Sequence, residues 1–119
     1  MRRWRVGPAL ALGVLGLGCS LGPKRFRDLS NPAPLVRARA AQLGDTLPDA
    51  AVVPRLLDRL DDSDPVVRLT AHEELKRRTG QDFGYVPWGE PAERLRAATR
   101  WRSWWQARQS GLANSRPIP

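Results

Sequence analysis

One short pattern occurs twice in this chain, and its recurrence limits the folds that the chain can adopt. The segment PLVRARA, which begins at Pro34, aligns with PVVRLTA, which begins at Pro65, so the internal period is 31 residues. Valine, arginine and alanine recur at matching positions of the two segments. Self-similarity at a fixed period of about this size is typical of helical hairpins that stack on one another. The sequence therefore predicts stacked helical hairpins.

Apolar residues at helical spacing place three helices in this region. The first helix is predicted over residues 34–44, after the punctuation NPAP. The second follows Asp49 as an amino-terminal cap and includes Pro54, which a helix tolerates only in its first turn. The third has Asp64 as its cap and Pro65 at its first helical position. The predicted apolar lines are Val36, Ala40, Leu43 and Leu47 in the first helix, Val53, Leu56, Leu57 and Leu60 in the second, and Val67, Ala71 and Leu75 in the third.

At these residues the chain resembles the HEAT-like repeat family, in which DP-x-VR-x-x-A-x-x-L opens each pair of helices. The second copy matches this pattern from Asp64 to Leu75, and in the first copy Asn31 and Pro32 stand for the Asp-Pro pair. The resemblance covers about residues 31–80. It implies that the aspartate and the arginine pair within and between repeats, so that Asp64 and Arg68 have structural roles.

Two copies leave an apolar face open, because about three or more repeats are expected in a stable stack. The segment after Gly80 is the candidate to cover it. An aromatic loop, QDFGYVPWGEP, precedes a final helix that is predicted to begin at Pro91 and to carry several tryptophans. We predict an all-α fold of two HEAT-like helical hairpins closed by this tryptophan-rich C-terminal helix, over residues 34–109, with a flexible tail at 110–119.

The aromatic residues of the C-terminal part also have an interpretation as a binding surface. Tryptophan and arginine are enriched in interface hot spots, and Trp104 falls beside the stripe formed by Ala98, Trp101 and Trp105. Core packing is the first interpretation, protein binding the second and lipid contact the third. The candidate partner-binding residues are Tyr85, Trp88, Trp101, Trp104 and Trp105.

The first residues, MRRWRVGPALALGVLGLGC, have the basic start, apolar centre and small residues of a secretory signal. The apolar run is shorter than the roughly 20 residues that span a bilayer. LGLGC resembles a bacterial lipoprotein signal, which implies a signal peptide at residues 1–18 and lipidation of Cys19. Gly16 departs from the leucine usual in that family. Ser20, where an aspartate would favour retention in the inner membrane, implies an outer-membrane lipoprotein facing the periplasm.

Removal of residues 1–18 would lower the net charge from +8 to +5, because three arginines are lost. Residues 19–33 are then predicted to be a tether that contains Lys24, Arg25 and Arg27. These basic residues are either attracted to anionic head groups, by about 1 kcal/mol per charge, or simply solvated. Nucleic acid is an unlikely partner despite the sequence pI of about 11.3, because the arginines alternate with acidic residues. The expected partners are the membrane, through the lipid, and a protein; the oligomeric state is left open.

No catalytic, cofactor-binding or metal-binding residues are predicted. HEEL at His72 begins like a zinc-protease helix, but Lys76 stands where that motif needs its second histidine. His72 is therefore expected to be an exposed helix residue. The sequence favours a lipid-anchored interaction or scaffolding module of the cell envelope, without catalysis. The alternatives are a small subunit whose helical face is completed by a partner, and a small envelope enzyme or enzyme inhibitor.

Overall fold

The computed structural model describes the backbone of residues 25–114 and the side chains of residues 25–112. Within these residues the chain is all-α and has no strand, which confirms the predicted fold class. The elements are a 3₁₀ helix at Phe26–Ser30 and the helices α1 at Pro34–Ala40, α2 at Asp49–Arg59, α3 at Pro65–Thr79 and α4 at Pro91–Asn114. None of these helices is long and apolar enough to cross a bilayer. The signal peptide predicted for 1–18 and the lipidation of Cys19 concern residues outside the described range.

The 3₁₀ helix lies in the segment that the sequence assigns to the tether, yet it belongs to the folded part. Phe26 and Leu29 are buried in the core, with 6% and 2% of their surface exposed. The internal period of 31 sets these two residues against Leu57 and Leu60, at the end of α2. The 3₁₀ helix thus occupies the place that the end of a preceding helix would have, and the fold begins before Pro34.

Helix α1 is shorter than predicted. After Ala40 the chain continues in turns, in which Leu43 N donates to Ala40 O at 3.0 Å and Leu47 N donates to Gly44 O at 2.9 Å. Leu43 and Leu47 are exposed, so the prediction that they extend the buried line is wrong. The chain leaves the helix before reaching them, and Gly44 turns inward instead: a Cβ on it would lie 3.0 Å from the Val52 side chain.

Helix α2 lies at the centre of the core. The prediction of its apolar side is confirmed, since the buried residues include Val53, Leu56, Leu57 and Leu60. Val52 is buried as well. The predicted cap is wrong, because Pro48 is the N-cap and Asp49 is already helical. The Asp49 carboxylate instead contacts Arg78 Nε at 3.2 Å, and Pro54 lies inside the helix.

Helix α3 begins as the sequence predicts. The Asp64 carboxylate accepts hydrogen bonds from Val66 N at 2.8 Å and Val67 N at 3.2 Å, and Pro65 follows it at the start of the helix. Such a cap contributes about 1 kcal/mol to a helix. Gly80 ends the helix in the left-handed conformation, with φ of 72°. The predicted line Val67, Ala71 and Leu75 is fully buried.

Helix α4 continues to Asn114, through the first part of the predicted tail. The sequence there contains Gly111, which costs a helix only about 1 kcal/mol, and the next proline is Pro117. Ala97, Ala98 and Trp101 of this helix are buried, and α4 packs on α2.

Candidate interaction surface

Two arginines at equivalent positions make equivalent hydrogen bonds. Arg37 Nη1 donates to the carbonyl oxygens of Asn31 and of the following residue, both at 2.9 Å. Arg68 Nη1 donates to the carbonyl oxygens of Asp62 and of the following residue, at 2.8 and 3.2 Å. A guanidinium has five donors in a fixed fork, so it can hold two successive carbonyls of a turn. The period seen in the sequence is therefore also present in the hydrogen bonds.

The turns held by these arginines are equivalent as well. Asn31 Oδ1 accepts from Ala33 N at 2.9 Å, and Asp62 Oδ1 accepts from Asp64 N at 3.0 Å. Short Asn and Asp side chains favour such turns because they reach the backbone two residues on. Asn31 is thus the counterpart of Asp62, as the internal period of 31 requires, and not of Asp64, the aspartate of the Asp-Pro pair for which Asn31 was taken to stand.

The two arginines differ in what their remaining nitrogens contact. Arg37 Nε and Nη2 donate to the two carboxylate oxygens of Asp62, each at 2.9 Å. Arg68 Nε donates to the carbonyl of Pro87 at 2.8 Å. The Arg68 guanidinium does not bond to the carboxylate of Asp64, which caps α3 instead. Both residues have the structural roles that were predicted, but through backbone atoms.

Asp62 is buried between these elements, with 8% of its surface exposed. Burial by itself would raise the pKa of its carboxyl group. The hydrogen bonds from Arg37 and from Asp64 N, with the charges of Arg37 and Arg59, outweigh burial and hold that pKa below its usual value. Asp62 is therefore a buried carboxylate in a complete set of hydrogen bonds and ion pairs.

Rings from α3, from α4 and from the loop between these helices form one cluster. We call His72, Phe83, Tyr85, Trp101, Trp104 and Trp105 the aromatic cluster. The His72 ring lies 4.9 Å from that of Tyr85 and 5.8 Å from that of Trp101, and Phe83 packs edge-on against Trp101 at 4.8 Å. Edge-to-face pairs at these distances are favourable.

His72 is 2% exposed, so the expectation of an exposed histidine is wrong. The reason is the loop, whose Asp82 carbonyl lies 3.1 Å from His72 Nε2. Burial lowers the pKa of His72 more than the neighbouring Asp82 raises it, so the ring is neutral at pH 7. The HEEL resemblance thus marks a core residue.

The loop is fixed by its backbone conformation and by two sets of hydrogen bonds. Phe83 and Gly84 both have positive φ, 61° and 70°. The Phe83 carbonyl accepts from Arg100 Nε and Nη2 at 3.1 and 2.9 Å. The Tyr85 hydroxyl donates to Leu60 O at 2.6 Å, and burial raises the pKa of this phenol. The loop is thereby joined to both α2 and α4.

The predicted partner-binding residues fall into two groups. Tyr85, Trp101 and Trp105 are buried in the chain's own core, with 4%, 0% and 9% of their surface exposed. Trp104 is partly buried against Trp101, and the Arg108 guanidinium lies over its ring at 5.4 Å. It therefore packs against the core, although its position beside the apolar stripe in the sequence argued against this. Trp88 is 60% exposed. Only Trp88 and the open side of Trp104 are accessible to a partner, and binding by these residues stays a prediction.

Trp88 also belongs to a set of exposed apolar residues, of which the other three were not predicted. We call Leu35, Val66, Val86 and Trp88 the apolar edge; they are between 47% and 62% exposed. Leu35 and Val66 are the second residues of PLV and PVV, and thus equivalent in the two copies. A recess of about 350 Å³ lies between them, lined also by Pro34, Ala38 and Asp64.

The other two residues of the apolar edge lie beside the same end of α3. The bond from Arg68 Nε to Pro87 O holds Pro87, which stands between Val86 and Trp88, near the turn that precedes α3. The sequence did contain a signal for the edge, since both copies have an apolar residue just outside the buried line. Helical periodicity alone does not pick out such a residue.

Searches against protein-family models, curated proteins and solved structures found no match. Over the described side chains, residues 25–112, no group of three His, Cys, Asp or Glu residues is placed to hold a metal ion. The candidate interaction surface is therefore apolar. Each copy of the repeat contributes one residue to it, and the loop between α3 and α4 contributes two.

Proposed function

We propose that this protein is a lipid-anchored interaction or scaffolding module of the bacterial cell envelope, built from HEAT-like repeats and without catalytic activity. The observation that carries the proposal is the apolar edge. A single exposed apolar side chain is ordinary on a protein surface, but contiguous apolar patches mark interaction sites. Here Leu35 and Val66 recur at equivalent positions of the two copies and line one recess.

The HEAT-like arrangement assigns α1 and α2 to one hairpin and α3 and α4 to the next. It is supported by the equivalent bonds of Arg37 and Arg68 and by the packing of α3 on both α1 and α2. In this arrangement α4 is the helix that closes the stack. The burial of Ala98 and Trp101, in a helix that packs on α2, agrees with that role.

The binding role of the apolar edge is tested by photo-crosslinking in cells. A photoreactive amino acid at Val66 is expected to give a discrete crosslinked species, which a second substitution, Leu35→Ser, should remove. The matched control is the same amino acid at Arg96, an exposed position on α4 that is outside the edge. The same crosslinking pattern at both positions, or none at Val66, would contradict the proposal.

The anchoring is supported by the LGLGC sequence alone and has its own test. Mass spectrometry of the protein purified from membranes should find acyl groups on a chain that begins at Cys19. The Cys19→Ala variant should lack them and keep residues 1–18. If the parent carries no acyl group, the lipoprotein part of the proposal is wrong, while the interaction part is still tested by crosslinking.

A further inference from the structure

A recess of about 300 Å³ lies between the 3₁₀ helix and α2. We call it the arginine recess; it is lined by Arg25, Phe26, Arg27, Leu47, Ala51 and Arg55. Its apolar surface comes from Phe26, which is anchored in the core, and from the exposed side chain of Leu47, which is 41% exposed. The proposed function makes no use of these residues.

The three arginines of the recess are exposed and are not engaged with the rest of the domain. Within the described range 25–112, no salt bridge and no hydrogen bond is formed by the guanidinium groups of Arg25, Arg27 and Arg55. By contrast, the guanidinium groups elsewhere are mostly held, as Arg37 is by Asp62 and Arg102 is by Asp61. Three guanidinium groups that have no partner among the described residues thus surround an apolar surface, a feature that the stability of the fold does not explain.

Acidic groups lie near the recess but do not fill it. Asp28 accepts the backbone N–H of Arg25 at 3.3 Å, and Asp58 lines an adjoining recess together with Arg55 and Arg59. Arg59 is itself held by Asp62 at 3.3 Å. The three arginines therefore keep the recess basic, and in the sequence Lys24 precedes Arg25.

From this charge and shape we infer that the arginine recess docks onto an anionic phospholipid surface. A guanidinium matches a phosphate with two parallel hydrogen bonds, and an apolar surface beside the cations can contact the first part of an acyl chain. Charge complementarity selects an anionic phospholipid as the occupant over a zwitterionic one. The inference goes beyond the proposed function, because the recess would bind such lipid whether or not Cys19 is acylated.

The test uses the full chain carrying Cys19→Ala, so that no acyl chain contributes. Binding is measured to vesicles of pure phosphatidylcholine and to vesicles with a third of their lipid as phosphatidylglycerol. The measured quantity is the ratio of the two dissociation constants, in which apolar contributions common to both vesicles cancel. Arg55→Gln is expected to lower this preference for anionic vesicles about fivefold, the effect of one basic residue at such a surface.

Matched controls separate the recess from overall charge. Arg96→Gln removes one exposed arginine that lies outside the recess. Because a basic residue contributes about 1 kcal/mol only when it lies close to the anionic membrane surface, this variant should change the preference less than about twofold. Leu47→Ser should weaken binding to anionic vesicles, whereas Leu112→Ser, at a more exposed leucine of α4, should not. Unfolding curves of all four variants show that they are folded.

Three results would overturn the inference. The first is an equal loss of preference in Arg55→Gln and Arg96→Gln, which would mean that only net charge matters. The second is no loss in either variant. The third is displacement of the chain from anionic vesicles by soluble glycerol phosphate or by a soluble polyglutamate peptide at matched charge, which would assign the recess to a free anion or an acidic protein.

Discussion

Each copy of the repeat contains an equivalent arginine, which makes the same local hydrogen bonds in both copies but contacts a different distant partner in each. Within each copy, the arginine holds the turn that precedes its helix. Beyond the copy, Arg37 reaches a buried carboxylate and Arg68 reaches a carbonyl of the aromatic loop. The difference shows that the repeat determines the hydrogen bonds to the preceding turn. The remaining guanidinium nitrogens bond to whichever acceptor a more distant segment supplies.

Asp62 belongs to the second copy and completes the first, so its loss should have the largest effect. Asp62→Ala removes the acceptor of Arg37, a contact of Arg59 and the turn bond from Asp64 N. Breaking a buried ion pair costs about 3–5 kcal/mol, and we expect a fall of this size in the free energy of unfolding, measured by urea denaturation. Asp61→Ala, which breaks the exposed pair with Arg102, should cost less than about 1 kcal/mol. Similar costs for the two variants would contradict this account of the first copy.

Arg68→Met tests the second copy and should have a smaller effect. The variant loses hydrogen bonds from a charged donor to neutral carbonyls, a type of bond that contributes about 1.5–3 kcal/mol, but it leaves no buried charge. Arg37→Met leaves the Asp62 carboxylate without its main partner and should cost more. Denaturation of both variants under the same conditions checks the order, and a larger cost for Arg68→Met would reverse the comparison.

The sequence predicted those parts of this comparison that depend on short-range patterns. The Asp64 cap, the start of α3 at Pro65 and the buried line of Val67, Ala71 and Leu75 all follow from local spacing. The acceptors of Arg37 and Arg68 could not be predicted, because they come from residues 25 and 19 positions away.

The sequence did not predict the burial of His72 or the exposure of Leu43, for the same reason that it did not predict the acceptors of the two arginines. Periodicity reports the face of a helix on which a residue lies, but not whether a loop folds over that face or where the helix stops. The loop at 81–90 covers His72, and the early end of α1 exposes Leu43. Both corrections depend on contacts between segments that are distant in sequence.

The aromatic loop covers one side of α3, and Gly84 tests how strongly the conformation of this loop is required. Gly84→Ala places a side chain at φ of +70° and should cost about 1 kcal/mol or more. Gly111→Ala, in the last turn of α4 with open space around the new Cβ, should stabilise by at most about 0.5–1 kcal/mol. Thermal unfolding measures both, and shifts of the same sign would show that the loop conformation is not the cause.

The exposed residues of the two copies should contribute least to stability. Leu35→Ser and Val66→Ser change surface side chains, so each should alter the free energy of unfolding by no more than about 0.5 kcal/mol. A cost above about 2 kcal/mol, typical of truncating a core residue, would mean that the apolar edge is part of the core and not a surface free for binding.

The central claim, that equivalent arginines end on a carboxylate in one copy and on a carbonyl in the other, is tested most directly by pH. Asp62 has a lowered pKa in the fold, so the stability it contributes is present above its unfolded pKa of about 3.9 and is lost as the pH falls below it. The free energy of unfolding of Arg37→Met, Arg68→Met and the parent is measured at pH 7 and at pH 3. We predict that the cost of Arg37→Met shrinks markedly at pH 3, because the Asp62 carboxyl group is then protonated in the variant, whereas the cost of Arg68→Met stays the same. Equal changes with pH in the two variants would contradict the claim.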